Sequence, residues 1–273
     1  MIKSNQLKHN NFIFLFTLFL VLGWLAVEGG ETKKVSNANI NLDPNFKISQ
    51  ALVISGYPIQ GNLIIAKTDP SNKVQLNDDR IEIDESGVFV VGFHHDDIKE
   101  SILTITNKNK KNFKTILKPI QRKYNIQRID GLRKSMVTPP QEVINRIKND
   151  RKMVNEARNI KWIKKVDFVH GFDWPLLGPI SGVYGSQRIL NGIPKSTHFG
   201  IDISVPKGTS VLAPAGGIIS LADNLYYSGH TVILSHGLKV NSTFLHLDEI
   251  KVGVGDKVNR GDLIGFSGNS GRS

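Results

Sequence analysis

Cysteine is absent from the 273-residue sequence. Disulfide bonds, thiolate nucleophiles and thiolate metal ligands are therefore excluded. Any metal ion in this protein would have to be held by histidine, aspartate or glutamate side chains.

Acidic residues are few compared with basic ones. The chain has 24 aspartate and glutamate residues against 35 lysine and arginine residues, and its net charge is +11. Such a surface favours an anionic partner: nucleic acid, acidic lipid or an anionic polymer. Nucleic acid is not the expected partner, because the sequence carries no aromatic-studded RNA motif, zinc finger or helix-turn-helix signature.

Long apolar runs are limited to one, from Phe12 to Val27, with Lys3 and Lys8 before it. The run is shorter than a transmembrane helix of about 20 residues and is typical of a signal-peptide core. Residues 1–28 are therefore interpreted as a signal peptide or an N-terminal anchor. The rest of the chain is expected to be exported, and because no clean A-x-A cleavage pattern follows the run, membrane anchoring through this segment stays open.

Residues 29–125 contain short apolar segments separated by glycine, proline, asparagine and aspartate. The strand-like segments are QALVISG, GNLIIAK, RIEID, GVFVVGF, SILTIT and FKTILK. Short strands with such turn signals predict a β-rich accessory domain, most simply a small β-sandwich.

One polar cluster in this region, His94-His95-Asp96-Asp97, has the residue types of a metal site. Adjacent side chains at a strand end normally point apart. We therefore expect a solvated turn after the strand and keep a metal cluster as the weaker alternative.

Residues 126–165 are predicted to form a linker with a helix. Thr138, Pro139 and Gln141 have the pattern of a capped helix start. An apolar stripe then follows on one face, formed by Val143, Ile147, Val154 and Ala157. We expect this helix to dock on a neighbouring domain.

Residues 166–273 are rich in glycine, and their short apolar runs alternate with turns. No helix-length periodic segment separates these runs, so a β-sheet joined by tight turns is expected rather than βαβ units.

Within this region, His198 and Asp202 lie four residues apart, yet Gly200 and the flanking isoleucines disfavour a helix. On a bent strand with period-two alternation, both side chains can face the same point. Imidazole and carboxylate are suitable partial ligands for zinc, although a simple His–Asp hydrogen bond is the common alternative. His246 ends an apolar segment and is a candidate base, whereas His236 is expected in a turn with a structural or surface role.

The motif series THFGIDISVPKGTSVLAPAGGII, VILSHG and TFLHLDEIKVGVGDKVNRGDLIGFSGNSGRS resembles the lysostaphin/LytM-type zinc metalloendopeptidases. The resemblance covers about residues 172–273, and the preceding β-rich region is similar to periplasmic Gram-negative members with an accessory domain. It implies a zinc-dependent peptidase that cleaves peptide cross-bridges of peptidoglycan in the periplasm or cell envelope. It also implies that His198 and Asp202 bind zinc and that His246 is a catalytic histidine.

Members of this family carry an H-x-H motif after a glycine-rich stretch that the ending GNSGRS resembles. The third metal ligand and a second catalytic histidine are therefore expected beyond Ser273, and the peptidase domain at 166–273 is expected to be incomplete. The expected fold is mostly β, with an N-terminal β-sandwich-like accessory domain, a linker helix and a C-terminal LytM-like β-sheet domain. The alternative function is a catalytically degenerate LytM-like module that binds the wall or activates other wall hydrolases.

Overall fold

A computed structural model of the chain describes residues 42–131, 139–160 and 166–272. These residues are mostly β-structure with one α-helix, as predicted. None of the helices in the described ranges is both long and apolar enough to cross a membrane. The predicted signal peptide or anchor, residues 1–28, lies outside these ranges.

The N-terminal part folds into two antiparallel sheets. One has the strand order β1-β2-β5 and the other β4-β3-β6-β7. The strands are β1 Leu52–Ser55, β2 Leu63–Lys67, β3 Lys73–Leu76, β4 Asp79–Ile81, β5 Val88–Gly92, β6 Ser101–Thr106 and β7 Asn112–Leu117. Side chains from both sheets share one buried core that includes Ile64, Phe89, Leu103 and Ile105. The predicted β-sandwich is confirmed.

The first four residues of strand β2, Leu63 to Ala66, are apolar and buried, so both faces of this part of the strand are covered. Ile64 and Ala66 point into the sandwich core. Leu63 and Ile65, which alternate with them, contact a second apolar cluster that contains Phe168 of the C-terminal part. This cluster joins the sandwich to the C-terminal part.

The helix α1, Ile144–Arg158, follows a short 3-10 turn at Gln141–Val143. Its predicted N-cap, Thr138, lies outside the described residues. Ala157 is buried against strands of the C-terminal sheet together with Met153 and Val154. The expectation that the helix docks on a neighbouring part of the chain is correct.

The C-terminal part is built on a six-stranded antiparallel sheet with the order β13-β18-β16-β15-β14-β17. Its strands are β13 Ser210–Leu212, β14 Gly217–Leu225, β15 Gly229–Gly237, β16 Val240–Ile250, β17 Lys257–Val258 and β18 Leu263–Ser267. One face covers a core that includes Ile219, Val232, Leu234 and Ile264.

Two smaller sheets lie beside it. Strand β9, Ile180–Gly182, pairs with β12, Asp202–Ile203. Strand β10, Gln187–Leu190, pairs with β11, Ile193–Thr197, and in parallel with β8, Ile126–Ile129. The start of the predicted linker therefore supplies a strand that pairs with the region leading to His198.

Candidate metal centre and catalytic site

His198 and Asp202 are brought together by a bend between two short strands. His198 directly follows β11, Gly200 lies in the bend, and Asp202 opens β12. The His198 Nε2 and Asp202 Oδ1 atoms are 3.2 Å apart. The side chain of His198 is 13% exposed and that of Asp202 is 44% exposed, so the pair opens to solvent on the carboxylate side.

The second ring nitrogen of His198 indicates what this pair can hold. Nδ1 lies 3.2 Å from the carbonyl oxygen of Val183 and can only donate to it. In the neutral ring, Nε2 is then an acceptor and faces another acceptor, the Asp202 carboxylate. Two acceptors at this distance repel each other unless a proton or a metal cation lies between them. Histidines that bind a metal through one ring nitrogen commonly donate the N–H of the other to a carbonyl oxygen, which fixes the tautomer.

Gly182 is a residue of the candidate site that the sequence reasoning missed. It pairs with Asp202 across β9 and β12. A Cβ atom on Gly182 would lie 2.2 Å from Asp202 Oδ2, so the carboxylate lies directly over the glycine backbone. The pairing of Gly182 with Asp202 joins residues that are distant in sequence, and no local sequence motif predicts it.

His246 occupies an irregular position in β16. The register against β15 shifts between Phe244 and Leu247, which makes a β-bulge, and His246 has a positive φ of 60°. Bulges of this kind redirect a side chain and are frequent beside active sites. Nδ1 donates to the carbonyl oxygen of Ser270 at 2.7 Å. Nε2 then carries the lone pair, as a base requires.

The chain after Asp202 is tied to the sheet close to His246. Lys207 Nζ lies 2.8 Å from Asp248 Oδ1, two residues beyond His246. The Ser267 hydroxyl donates to the Pro206 carbonyl at 2.8 Å, and Ser267 pairs with Leu247 in the sheet. These contacts fix the segment after Asp202 against the strands that position His246.

His236 lies on β15, not in the turn that was expected, and its structural role agrees with the sequence interpretation. Its ring is fully buried, with Nδ1 2.9 Å from the Gly216 carbonyl and Nε2 2.8 Å from the Ser242 hydroxyl. Burial lowers its pKa to about 4. Because both ring nitrogens are engaged inside the protein, His236 is not available as a further ligand.

The turn at His94–Asp97 is present, but the expectation that its side chains point apart is wrong. The two rings are 4.3 Å apart, and His94 also hydrogen-bonds to Asp96. The two rings lie together because the chain is closed into a turn here instead of continuing as a strand. The Asp97 carboxylate closes this turn by accepting the His94 N–H at 2.5 Å. Burial lowers the pKa of His95, and the bond to His94 lowers the pKa of Asp96.

This turn contacts the residues on both sides of His198. The His95 ring lies edge-on to Phe199, with centroids 5.0 Å apart. His95 Nε2 is 3.2 Å from the Thr197 hydroxyl oxygen. The N-terminal sandwich therefore contacts the chain next to the candidate metal ligand.

Residues 196–273, which include His198, Asp202 and His246, match the profile of Peptidase family M23. The predicted family resemblance is confirmed over this part of the chain.

Curated relatives are similar to this chain over about a third of its length. Peptidoglycan DD-endopeptidase ShyA of Vibrio cholerae is 41% identical over 87 residues, 31% of this chain and 20% of that protein. Glycyl-glycine endopeptidase ALE-1 of Staphylococcus capitis is 36% identical over 95 residues, 33% of this chain and 25% of that protein. The match thus spans a quarter or less of each relative.

A crystal structure from Pseudomonas aeruginosa, described as a peptidase M23, shares the fold over a longer range. It covers 81% of this chain and 87% of that chain, with a TM-score of 0.61 and 23% identity. The shared range is longer than the M23 match and reaches into the residues before it.

Proposed function

We propose that this chain is a zinc-dependent endopeptidase that hydrolyses peptide cross-bridges of peptidoglycan in the periplasm or cell envelope. One observation carries the proposal: within the segment that matches the M23 profile, two acceptor atoms, His198 Nε2 and Asp202 Oδ1, face each other at 3.2 Å. Two acceptor atoms at this distance need a proton or a metal cation between them, and the M23 match favours the metal.

The donor set fits zinc. A neutral imidazole and a carboxylate are common zinc ligands, and catalytic zinc sites add a third protein ligand and keep one open position. When bound, zinc polarises the scissile carbonyl and lowers the pKa of its water towards about 7. The third ligand, expected beyond Ser273 from the family resemblance, stays a prediction.

Each residue of the candidate site then has a role in binding the metal or in moving a proton. The Val183 carbonyl holds the Nδ1 proton of His198 and keeps Nε2 available as a ligand. The backbone of Gly182 allows the Asp202 carboxylate to approach closely. His246 is held through Nδ1 by Ser270, so its Nε2 can accept a proton from the attacking water and later return it to the leaving amine.

The substrate class is argued from the relatives and from charge. ShyA is named a peptidoglycan DD-endopeptidase and ALE-1 a glycyl-glycine endopeptidase. Both names denote cleavage of peptide bonds, but of different types. A net charge of +11 would also hold the protein near an anionic wall polymer.

The proposal is tested with purified peptidoglycan and the gene product that contains this sequence. The metal-stripped protein should release no cross-bridge fragments, and added zinc should restore release. Mass spectrometry should find newly separated stem peptides with intact glycan strands. His198→Ala should stay inactive when zinc is added, whereas His170→Ala, which removes an exposed histidine outside the candidate site, should cleave as the original chain does.

Two outcomes would contradict the proposal. Cleavage of glycan strands instead of peptides would assign a different reaction. Absence of release at every zinc concentration, with stimulation of a separate wall hydrolase added to the assay, would favour the activator alternative.

A further inference from the structure

The turn after β5, where the sandwich contacts the C-terminal part of the chain, gathers three side chains of types that can bind a metal. His94, His95 and Asp96 each have a ligand atom within 4.8 Å of the others, and theirs is the one such group found in the described ranges. His198 and Asp202 are not members of this group. The cluster is therefore separate from the pair assigned to catalysis.

The atoms of the cluster converge on one point. His94 Nδ1 and His95 Nδ1 are 3.1 Å apart. Asp96 Oδ1 lies 3.8 Å from His95 Nδ1 and is hydrogen-bonded to His94 Nδ1. Two nitrogens bound to one tetrahedral zinc at about 2.0–2.1 Å are roughly 3.3 Å apart. The two imidazoles are thus close to the separation that one such ion needs.

A residue of the other part of the chain supports this geometry. His95 Nε2 lies 3.2 Å from the hydroxyl oxygen of Thr197, 102 positions away in sequence. If the Nε2–H group donates to this oxygen, Nδ1 carries the lone pair and points at the cluster. Metal-binding histidines are usually held in this way by a partner on the second nitrogen.

We propose that His94, His95 and Asp96 bind a divalent cation of the zinc class at the contact between the two parts of the chain. Two imidazoles and one carboxylate suit zinc better than calcium or magnesium, which prefer oxygen ligands. The ion fixes the turn beside Thr197 and Phe199, which flank His198. Its role is to fasten the sandwich to the peptidase region, and it takes no part in peptide hydrolysis.

The test uses a background in which the catalytic pair is removed, His198→Ala/Asp202→Asn. Zinc titration by calorimetry should still show about one bound ion per chain. Adding Asp96→Asn should weaken zinc binding at least tenfold, and adding both His94→Ala and Asp96→Asn should abolish it. Asp96 is 69% exposed, so its replacement should leave the fold intact.

The control in the same background is His170→Ala/Asp78→Asn, which removes one exposed histidine and one exposed aspartate elsewhere. It should bind zinc as the background does. Thr197→Val should weaken zinc binding about tenfold without changing the stoichiometry, since it removes the outer partner of His95.

The unfolding temperature, measured with and without zinc, is a second test of zinc binding. Zinc should raise the unfolding temperature of the background variant but not of the His94→Ala/Asp96→Asn variant made in it. Zinc binding that is unchanged by Asp96→Asn and by the double replacement would overturn the proposal. Because the catalytic pair is absent throughout, failure here would not affect the proposed peptidase function.

Discussion

His246 has a left-handed backbone conformation, with φ of 60°. A non-glycine residue held there costs roughly 1–3 kcal/mol, and such strain persists only where the surroundings impose it. Here the imposing contacts are the bulge in β16 and the bonds from His246 to Ser228 and Ser270. The strain places the ring at a fixed orientation, as a proton-transfer group needs.

Replacing His246 with alanine should abolish turnover but leave zinc bound. The expected loss is about 10²- to 10⁴-fold, the usual contribution of general acid–base catalysis. Zinc content and the rate of peptidoglycan digestion should be measured on the same sample. Loss of zinc from this variant would show that His246 is a ligand instead of a base.

The lowered pKa of the buried His236 predicts that the stability of the fold depends on pH. Its folded pKa of about 4 lies below its ordinary value of 6.5. The unfolded chain therefore takes up a proton first as pH falls, and stability present above pH 6.5 is lost between pH 6.5 and 4. From pH 7 to pH 5 this one group should cost about 2 kcal/mol of unfolding free energy.

Denaturant unfolding at pH 7 and pH 5 checks this expectation. His236→Gln should be less stable at pH 7 yet lose about 2 kcal/mol less than the original chain on acidification. His170→Gln, at an exposed position, should behave as the original chain does. Equal acid sensitivity in all three proteins would contradict the assignment.

At the scale of the strands, the candidate site depends on the pairing of β9 with β12. Asp202 lies on the short strand β12, and its carboxylate covers Gly182 of β9. The glycine is needed for space and not for a left-handed backbone, because it is not among the glycines with positive φ.

Gly182→Ala should therefore displace the Asp202 carboxylate without changing either proposed ligand. The added methyl would lie 2.2 Å from Oδ2, so zinc affinity should fall about tenfold or more while the fold is kept. Gly253→Ala is the matched control, because its methyl would meet only Asp256 Oδ2 at 3.6 Å. Equal zinc affinity in both variants would show that Asp202 is not a ligand.

The elements that local patterns encode were predictable. The strand-like segment GNLIIAK and the apolar stripe around Ala157 predicted a strand and a docked helix, and both are present. The spacing of His198 and Asp202 indicated that the two side chains could converge, and their atoms do so.

Contacts between distant segments could not be predicted in this way. The parallel pairing of β8 with β10 and the contact of His95 with Thr197 depend on how the two parts of the chain dock. Local strand geometry also predicted that the side chains of His94 and His95 would diverge, because it does not include the Asp97 carboxylate that closes the turn.

At the scale of the whole molecule, export is a prediction from the N-terminal run. Residues up to about Val27 should be absent from the mature protein, because a signal peptidase would remove them. N-terminal sequencing of the exported protein tests this. Leu18→Arg, which places a charge in the run, should block export. A soluble mature chain that still begins at Met1 would contradict the signal peptide, and a membrane-bound chain with Met1 would identify an uncleaved anchor.

The most direct measurement is an anomalous-scattering map at the zinc edge from crystals of the zinc-loaded gene product. The proposed peptidase requires a peak about 2.0–2.2 Å from both His198 Nε2 and Asp202 Oδ1. His246 should lie outside bonding distance of that peak, with Nε2 directed towards it. An absence of density between His198 and Asp202, with zinc bound elsewhere on the chain, would contradict the proposed catalytic centre.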